Sequence, residues 1–171
     1  MKKYLLFLPI ALYFYILHTL TIILDSDMQS LGIAVGIILT LFTAVTYIIG
    51  LIRLIISPDY DEKTAVRISM MVKIPQIFPI MILFGGGMLM LCFPMGFLFT
   101  IVTWIIIGFT HFATSITEAV ACYKMWRAHR ISLIKAIIFG ALSFVPLIDY
   151  VVLVVIFIKS LSKSQSVEGV I

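Results

Sequence analysis

Five apolar stretches, each about 20 residues or longer, constrain this chain more than any other feature, because that is the length of a membrane-spanning helix. They run over residues 4–24, 30–56, 74–94, 97–122 and 133–158. A chain of 171 residues that is 63% hydrophobic and only 12% charged cannot bury so much apolar surface within itself. The sequence therefore predicts an all-α fold in which residues 1–171 form one integral membrane domain, a bundle of five transmembrane helices.

Lysine and arginine residues fall in alternate links between these stretches. Two precede the first stretch, and four lie in or beside each of the links that follow the second and the fourth. Only Lys159 and Lys163 lie beyond the fifth. Because basic residues concentrate in cytoplasmic loops, we expect a multi-pass protein of the cell membrane with a cytoplasmic N-terminus. The net charge of +4 then reflects topology and contact with the lipid bilayer, and we expect no nucleic-acid partner, since no recognition module occurs.

The last stretch, residues 133–158, contains Pro146 and Asp149, which interrupt its apolar run. We expect one kinked crossing here, which would place the C-terminus outside. The alternative is a break near SFVPLIDY into two half-helices that return to the inner side, where Lys159 and Lys163 would be favoured.

Apart from Arg53 and Lys135, which are counted with the basic links, four acidic or histidine side chains lie within the apolar stretches, where charged groups are costly and therefore mark candidate sites: His18, His111, Glu118 and Asp149. At about 1.5 Å per residue, His18, His111 and Asp149 lie at similar depths, about 21, 17 and 24 Å from the inner face. We expect them to form one polar cluster if the first, fourth and fifth helices pack together. Such a cluster can pass protons or bind a cation, or it can serve as a static set of interhelical hydrogen bonds.

Glu118 shares a helix face with His111, because it follows His111 by seven positions, which is about two helical turns. It lies only about 6 Å from the inner end of its helix. The role expected for Glu118 is therefore interfacial ion pairing with Lys124 or Arg127.

Three consecutive glycines, Gly85, Gly86 and Gly87, lie within the third stretch. Small residues allow a neighbouring helix to approach closely, so this triplet predicts a helix-packing face. Unwinding of the helix around a ligand is the alternative.

Motifs of catalytic and cofactor sites are missing from the sequence, which contains no G-x-S-x-G, H-E-x-x-H, phosphate loop or C-x-x-C. The acidic run DYDE at residues 59–62 lacks the glycine and the spacing of a calcium loop. We therefore predict no catalytic residues, no bound metal and no cofactor. An intramembrane enzyme that uses His111 and Glu118, with Ser115 as the nucleophile, is the least favoured alternative.

The opening of the third stretch, VKIPQIFPIMILFGGG, and the later FVPLIDYVV resemble phrases of small uncharacterised membrane proteins from Gram-positive bacteria. Lys73, Ile74, Pro75 and Gly85 match the phrase typical of those proteins, whereas Gln76 stands where they often have a small residue. The resemblance covers about the last hundred residues. It implies a protein of the bacterial inner membrane and carries no activity with it.

These observations favour a non-enzymatic accessory, immunity-type or regulatory subunit. It would act through helix–helix contacts with a membrane-protein partner or with further copies of the same chain. A small proton- or cation-coupled transporter or channel that uses His18, His111 and Asp149 is the alternative.

Overall fold

The computed structural model describes residues 3–23 and 29–161, with the side chains of residues 18, 20–23, 29 and 30 left out. All regular structure in these ranges is helical, which confirms the predicted all-α fold. A short 3-10 helix at Leu5–Phe7 precedes six α-helices: α1 (Leu8–Ile23), α2 (Gln29–Ile56), α3 (Glu62–Met90), α4 (Gly96–Arg127), α5 (Leu133–Leu142) and α6 (Ile148–Leu161).

Three of these helices, α2, α3 and α4, are long and apolar enough to cross a membrane. This agrees with the predicted membrane location. The helices α1, α5 and α6 have 16, 10 and 14 residues, so the five spans expected from the sequence are not matched by five long helices.

The chain forms two compact units. The first unit comprises residues 1–53 and 71–110, and the second unit comprises residues 54–70 and 111–171. The helices α3 and α4 each contribute one part to each unit.

In the first unit, buried contacts join the start of the chain to α2 and α3. The ring of Phe7 meets that of Tyr47 edge to face, with 6.2 Å between the ring centroids. A side chain at Gly50 would begin 3.0 Å from the Phe7 ring, so the glycine is what lets this ring lie against α2. The buried amide of Gln76 donates to the carbonyl of Ile10 over 2.7 Å, which ties α3 to α1.

A tight turn over residues 91–95 joins α3 to α4 within the first unit. Met95 adopts a left-handed conformation with φ 67°, and a Cβ atom at Gly96 would lie 1.7 Å from the carbonyl oxygen of Met90. Only glycine fits at position 96, because any side chain would overlap the end of α3. The turn at Phe93, Pro94 and Met95 is therefore shaped by the glycine that follows it.

The last apolar stretch does not form the single kinked helix that we expected. It breaks into α5 and α6, with residues 143–147 between them. Proline has no N–H group to continue the helix, and Leu147 is left-handed with φ 72°. In addition, the ammonium group of Lys159 on α6 lies 5.2 Å from the ring centroid of Phe139 on α5, so α6 runs back toward α5.

Candidate functional site

The second-unit part of α4 carries a group of fully or almost fully buried polar side chains: Thr114, Ser115, Thr117 and Glu118. The three hydroxyl groups donate to carbonyls one turn back on the same helix. Ser115 Oγ donates to the carbonyl of His111 over 2.9 Å, and Thr117 Oγ1 donates to that of Thr114 over 2.6 Å. Hydroxyls can be satisfied in this way without any ligand, so their burial alone does not indicate a site.

His111 and Asp149 come together on facing helices of the second unit, as the sequence predicted. Nδ1 of His111 lies 3.6 Å from Oδ2 of Asp149. The carboxylate is completely buried, and the imidazole is 13% exposed. Because both groups are largely shielded from water, the attraction between an imidazolium and a carboxylate at this distance is several times stronger than in water. This pair is the centre of the candidate site.

The position of Asp149 follows from the break in the last apolar stretch. It lies in the first turn of α6, where the unsatisfied N–H groups of a helix end stabilise a negative charge. The backbone N–H of Tyr150 donates to Oδ1 of Asp149 over 2.8 Å. One carboxylate oxygen is thus held by the backbone, while the other points toward His111.

Further polar groups extend from this pair along α4. The carboxylates of Asp149 and Glu118 both act electrostatically on the phenol of Tyr150. Two turns of α4 separate His111 from Glu118, and next to Glu118 the hydroxyl of Thr117 accepts a hydrogen bond of 3.3 Å from the fully buried Ser69 of α3. Buried polar side chains of the second unit thus lie at the His111–Asp149 pair and, two turns along α4, around Glu118.

His18, the third residue of the predicted cluster, cannot be placed with the other two. Its backbone belongs to α1, in the first unit, and its side chain lies outside the described residues. Of the three residues of the expected cluster, the structure brings two together, His111 and Asp149.

Glu118 was expected at the membrane interface with Lys124 or Arg127, but its side chain is 0% exposed. The ammonium group of Lys124 donates to the backbone carbonyls of Ser57 and Tyr60, and the guanidinium of Arg127 lies over the ring of Tyr123. These contacts do not reach Glu118. Distance along the helix axis set the expectation, whereas the direction in which the side chain points decides its burial.

The two cytoplasmic links expected from the sequence meet in the second unit, which sequence reasoning did not anticipate. The guanidinium of Arg130 lies 3.3 Å from the carboxylate of Glu62, and both side chains are largely buried. Together with the bonds from Lys124 to the segment after α2, this ion pair joins the end of α4 to the start of α3. The presence of opposite charges in two links does not show which residues pair, so only the fold reveals this ion pair.

The three glycines of the triplet in α3 differ in how closely other atoms of the chain approach them. A side chain at Gly87 would begin 3.1 Å from Nε1 of Trp104, and Thr100 donates to the carbonyl of Gly87 over 2.6 Å. A side chain at Gly85 or Gly86 would meet no atom within 4 Å. Within the chain, close helix packing is thus confirmed only at Gly87.

Two polar residues at the start of the third apolar stretch are buried, although neither was among the candidate site residues predicted from the sequence. Lys73 and Gln76 are each 1% exposed. A signal was available, since both residues lie close to the first proline of an apolar stretch, where polar groups are costly unless they have partners. Among the described residues, no three His, Cys, Asp or Glu side chains are grouped so as to hold a metal ion.

Comparisons with protein-family models, curated proteins and solved structures found no match to this chain. The resemblance to small membrane proteins of Gram-positive bacteria therefore stays a prediction.

Proposed function

We propose that this protein is a small proton- or cation-coupled transporter or channel of the cell membrane, with His111 and Asp149 as its ion-binding pair. The observation that carries the proposal is the distance of 3.6 Å between Nδ1 of His111 and Oδ2 of a completely buried Asp149. Ionisable groups are rare within membrane-spanning segments, and those that meet between apolar helices often mark ion pathways.

The chemistry of the pair supports coupling between a proton and a cation. When His111 carries a proton, the imidazolium neutralises the carboxylate of Asp149. When the proton leaves, a cation can take the place of the imidazolium beside the carboxylate of Asp149. Histidine changes its charge near neutral pH more readily than any other side chain. A proton and a cation would thus compete for the same carboxylate.

The local backbone supports the same role. Asp149 begins α6 directly after an interruption of the helix, and helix ends that meet inside the membrane form the ion sites of many transporters. The topology proposed for this function keeps the N-terminus cytoplasmic and counts α1 to α4 as crossings. The residues from Leu5 to Ile23 would extend about 28 Å as a helix, close to the thickness of a bilayer core.

Reconstitution in liposomes tests the proposal. Proton flux is measured with an enclosed pH-sensitive dye while a potassium gradient with valinomycin sets the membrane potential. We expect Asp149→Asn and His111→Gln each to reduce the flux at least about tenfold, a change of about 1.4 kcal/mol in the barrier. Ser160→Ala is the matched control. Ser160 is equally buried on α6, but its hydroxyl only donates to the carbonyl of Phe157.

Folding of each variant is checked by size-exclusion chromatography and circular dichroism. Wild-type liposomes that carry no flux of protons, sodium or potassium would contradict the proposal. Flux that remains unchanged in a folded Asp149→Asn protein would contradict the role of the pair, while leaving transport itself intact.

An accessory, immunity-type or regulatory subunit is the second candidate. It is favoured by Gly85 and Gly86, where the surface of α3 is free of side chains and meets no atom of the chain within 4 Å. Another membrane helix could approach closely there. Purification in mild detergent tests this role, because a partner should accompany the wild type and be lost from Gly86→Leu. A self-contained particle that transports unaided would contradict it.

The proposed function is not enzymatic. Ser115, the nucleophile that an intramembrane hydrolase would need near Glu118, is fully buried and donates its hydroxyl hydrogen to the carbonyl of His111. This hydrogen bond directs the hydroxyl along its own helix. A hydrolase would need a general base in that direction instead.

A further inference from the structure

We infer that α5 and α6 form a re-entrant hairpin in the membrane. The chain enters from the cytoplasmic side at α5, turns at residues 143–147 near the middle of the bilayer, and returns through α6 to the side from which it entered. The inference concerns the path of the chain, and it holds whether or not His111 and Asp149 conduct ions.

The lengths of the two helices are the first observation. α5 has 10 residues and α6 has 14, so they extend about 15 Å and about 21 Å. The apolar core of a bilayer is about 30 Å thick. Neither helix crosses it alone, and α5 reaches about half of its depth.

The direction of α6 is the second observation. If α6 continued in the direction of α5, the 20 positions from Phe139 to Lys159 would correspond to about 30 Å. Instead, the ammonium group of Lys159 lies 5.2 Å from the ring centroid of Phe139. The far end of α6 has therefore returned beside α5.

Contacts with the second-unit part of α4 show where the chain stops advancing. A Cβ atom at Gly140 would lie 3.9 Å from Cβ of Ala119, and the rings of Phe144 and Phe112 are 5.1 Å apart. From Gly140 to Phe144 the chain advances by four positions, while its contacts on α4 move by seven positions, from Ala119 to Phe112. The next five residues, up to Asp149, advance by only one more position, to His111. The turn therefore lies at the level of His111.

Backbone hydrogen bonds within the turn fit a location inside the membrane, where an unsatisfied polar group is costly. The N–H groups of Ser143, Phe144 and Val145 donate to carbonyls of α5 over 2.9, 3.2 and 3.0 Å. The N–H group of Asp149 donates to the carbonyl of Val145 over 3.1 Å. The turn thus satisfies much of its backbone locally.

Charge distribution gives independent support. With α6 returning to the cytoplasmic side, Lys159 joins the ten basic residues that the sequence predicts there, and Lys163, which follows it in the sequence, is expected on the same side. A single crossing would place these two lysines on the face that has no other basic residue. The rule that basic loops stay in the cytoplasm favours the hairpin. The C-terminus is then cytoplasmic, and Asp149 lies at the mid-membrane tip.

Cysteine labelling tests the hairpin in the full-length protein. Native Cys92 is exposed in the turn before α4, and buried Cys122 is replaced by alanine in every variant. In a Cys92→Ser background, Ala128→Cys reports on the side beyond the C-terminal end of α4, and Leu161→Cys reports on the end of α6. A membrane-impermeant maleimide is applied to intact and to permeabilised cells.

The hairpin predicts that Leu161→Cys is labelled under the same condition as Ala128→Cys and under the opposite condition to Cys92. Labelling of Leu161→Cys together with Cys92 would overturn it. The comparison is internal, so it does not depend on which face is cytoplasmic. If Leu161→Cys resists labelling in both conditions, fusions to the C-terminus decide. Fluorescence of a green fluorescent protein fusion supports the hairpin, and activity of an alkaline phosphatase fusion overturns it.

Discussion

Nδ1 of His111 lies 3.6 Å from Oδ2 of Asp149, although 38 positions separate the two residues in the sequence. The two side chains meet only because the chain turns between α5 and α6. One lies on a long continuous helix and the other at the start of a short one. The pair therefore links the proposed ion site to the proposed path of the chain, and both can be tested through stability.

Replacing either member of this pair should destabilise the protein, and replacing both should cost less than the sum of the two single losses. Asp149→Leu leaves the imidazole without the carboxylate, and His111→Leu leaves the carboxylate without the imidazole, at a loss of about 3 to 5 kcal/mol in buried pairs. The double variant removes both polar groups. Its loss of unfolding free energy should fall short of the sum of the single losses by about 1 kcal/mol or more.

Denaturation in detergent, followed by tryptophan fluorescence, gives the unfolding free energies of the four proteins in this cycle. Strictly additive losses would show that the two side chains do not interact. Wild-type stability in both single variants would show that the contact contributes nothing to the fold.

Gly50→Ala should destabilise the first unit, although alanine favours a helix by about 1 kcal/mol over glycine. The new Cβ atom would lie 3.0 Å from the ring of buried Phe7, so the ring would have to move. We expect a net loss of about 1 kcal/mol. Gly108→Ala is the matched control, because its Cβ atom meets nothing within 4 Å and the change should be neutral or stabilising. Thermal unfolding that ranks the two variants in the reverse order would refute the contact.

Leu147→Gly should stabilise the turn between α5 and α6. Leu147 is 80% exposed and left-handed with φ 72°, a conformation that is strained by about 1 to 2 kcal/mol for a residue with a Cβ atom. Glycine removes this strain. Val145→Gly, at an exposed turn position where φ is not positive, should instead lower the stability. Melting temperatures in detergent check the pair, and equal shifts in both variants would count against the turn geometry.

Lys124→Met should weaken the second unit more than Arg127→Met does. The Lys124 ammonium donates to the carbonyls of Ser57 and Tyr60, which lie in the link after α2. Arg127, in contrast, only lies over the exposed ring of Tyr123. We expect a difference of about 1 kcal/mol in unfolding free energy, the typical net value of one hydrogen bond. Limited proteolysis of the link after α2 measures the local effect. Equal cleavage rates in the two variants would argue that Lys124 does not hold this segment.

Sequence reasoning reached the helical fold because the physical constraint is local. A run of about 20 apolar residues has few alternatives to a membrane helix, since each backbone polar group must be satisfied within the segment. Residue spacing also indicated that His111 and Asp149 both lie far from the ends of their apolar stretches, because the rise of a helix is constant. The depth of about 24 Å expected for Asp149 assumed an unbroken helix, which the structure divides into α5 and α6. Neither inference requires knowledge of which helices are neighbours.

The direction of side chains around each helix required the structure. Glu118 is near the end of its helix by count, yet it is completely buried. Gly85 and Gly87 are two positions apart, but only Gly87 faces a neighbouring helix closely. Depth along an axis follows from the sequence, whereas the face that a residue presents depends on how the helices pack.

The sequence by itself determined that this protein is built of apolar helices and which ionisable residues lie within them, because length and hydrophobicity act segment by segment. Only the tertiary structure decided how the last stretch is divided. Pro146 permits both a kink and a full break, since each moves its ring away from the backbone carbonyl one turn earlier. The choice was made by contacts between residues far apart in sequence, those of Phe112 with Phe144 and of Phe139 with Lys159. The same contacts bring Asp149 to His111.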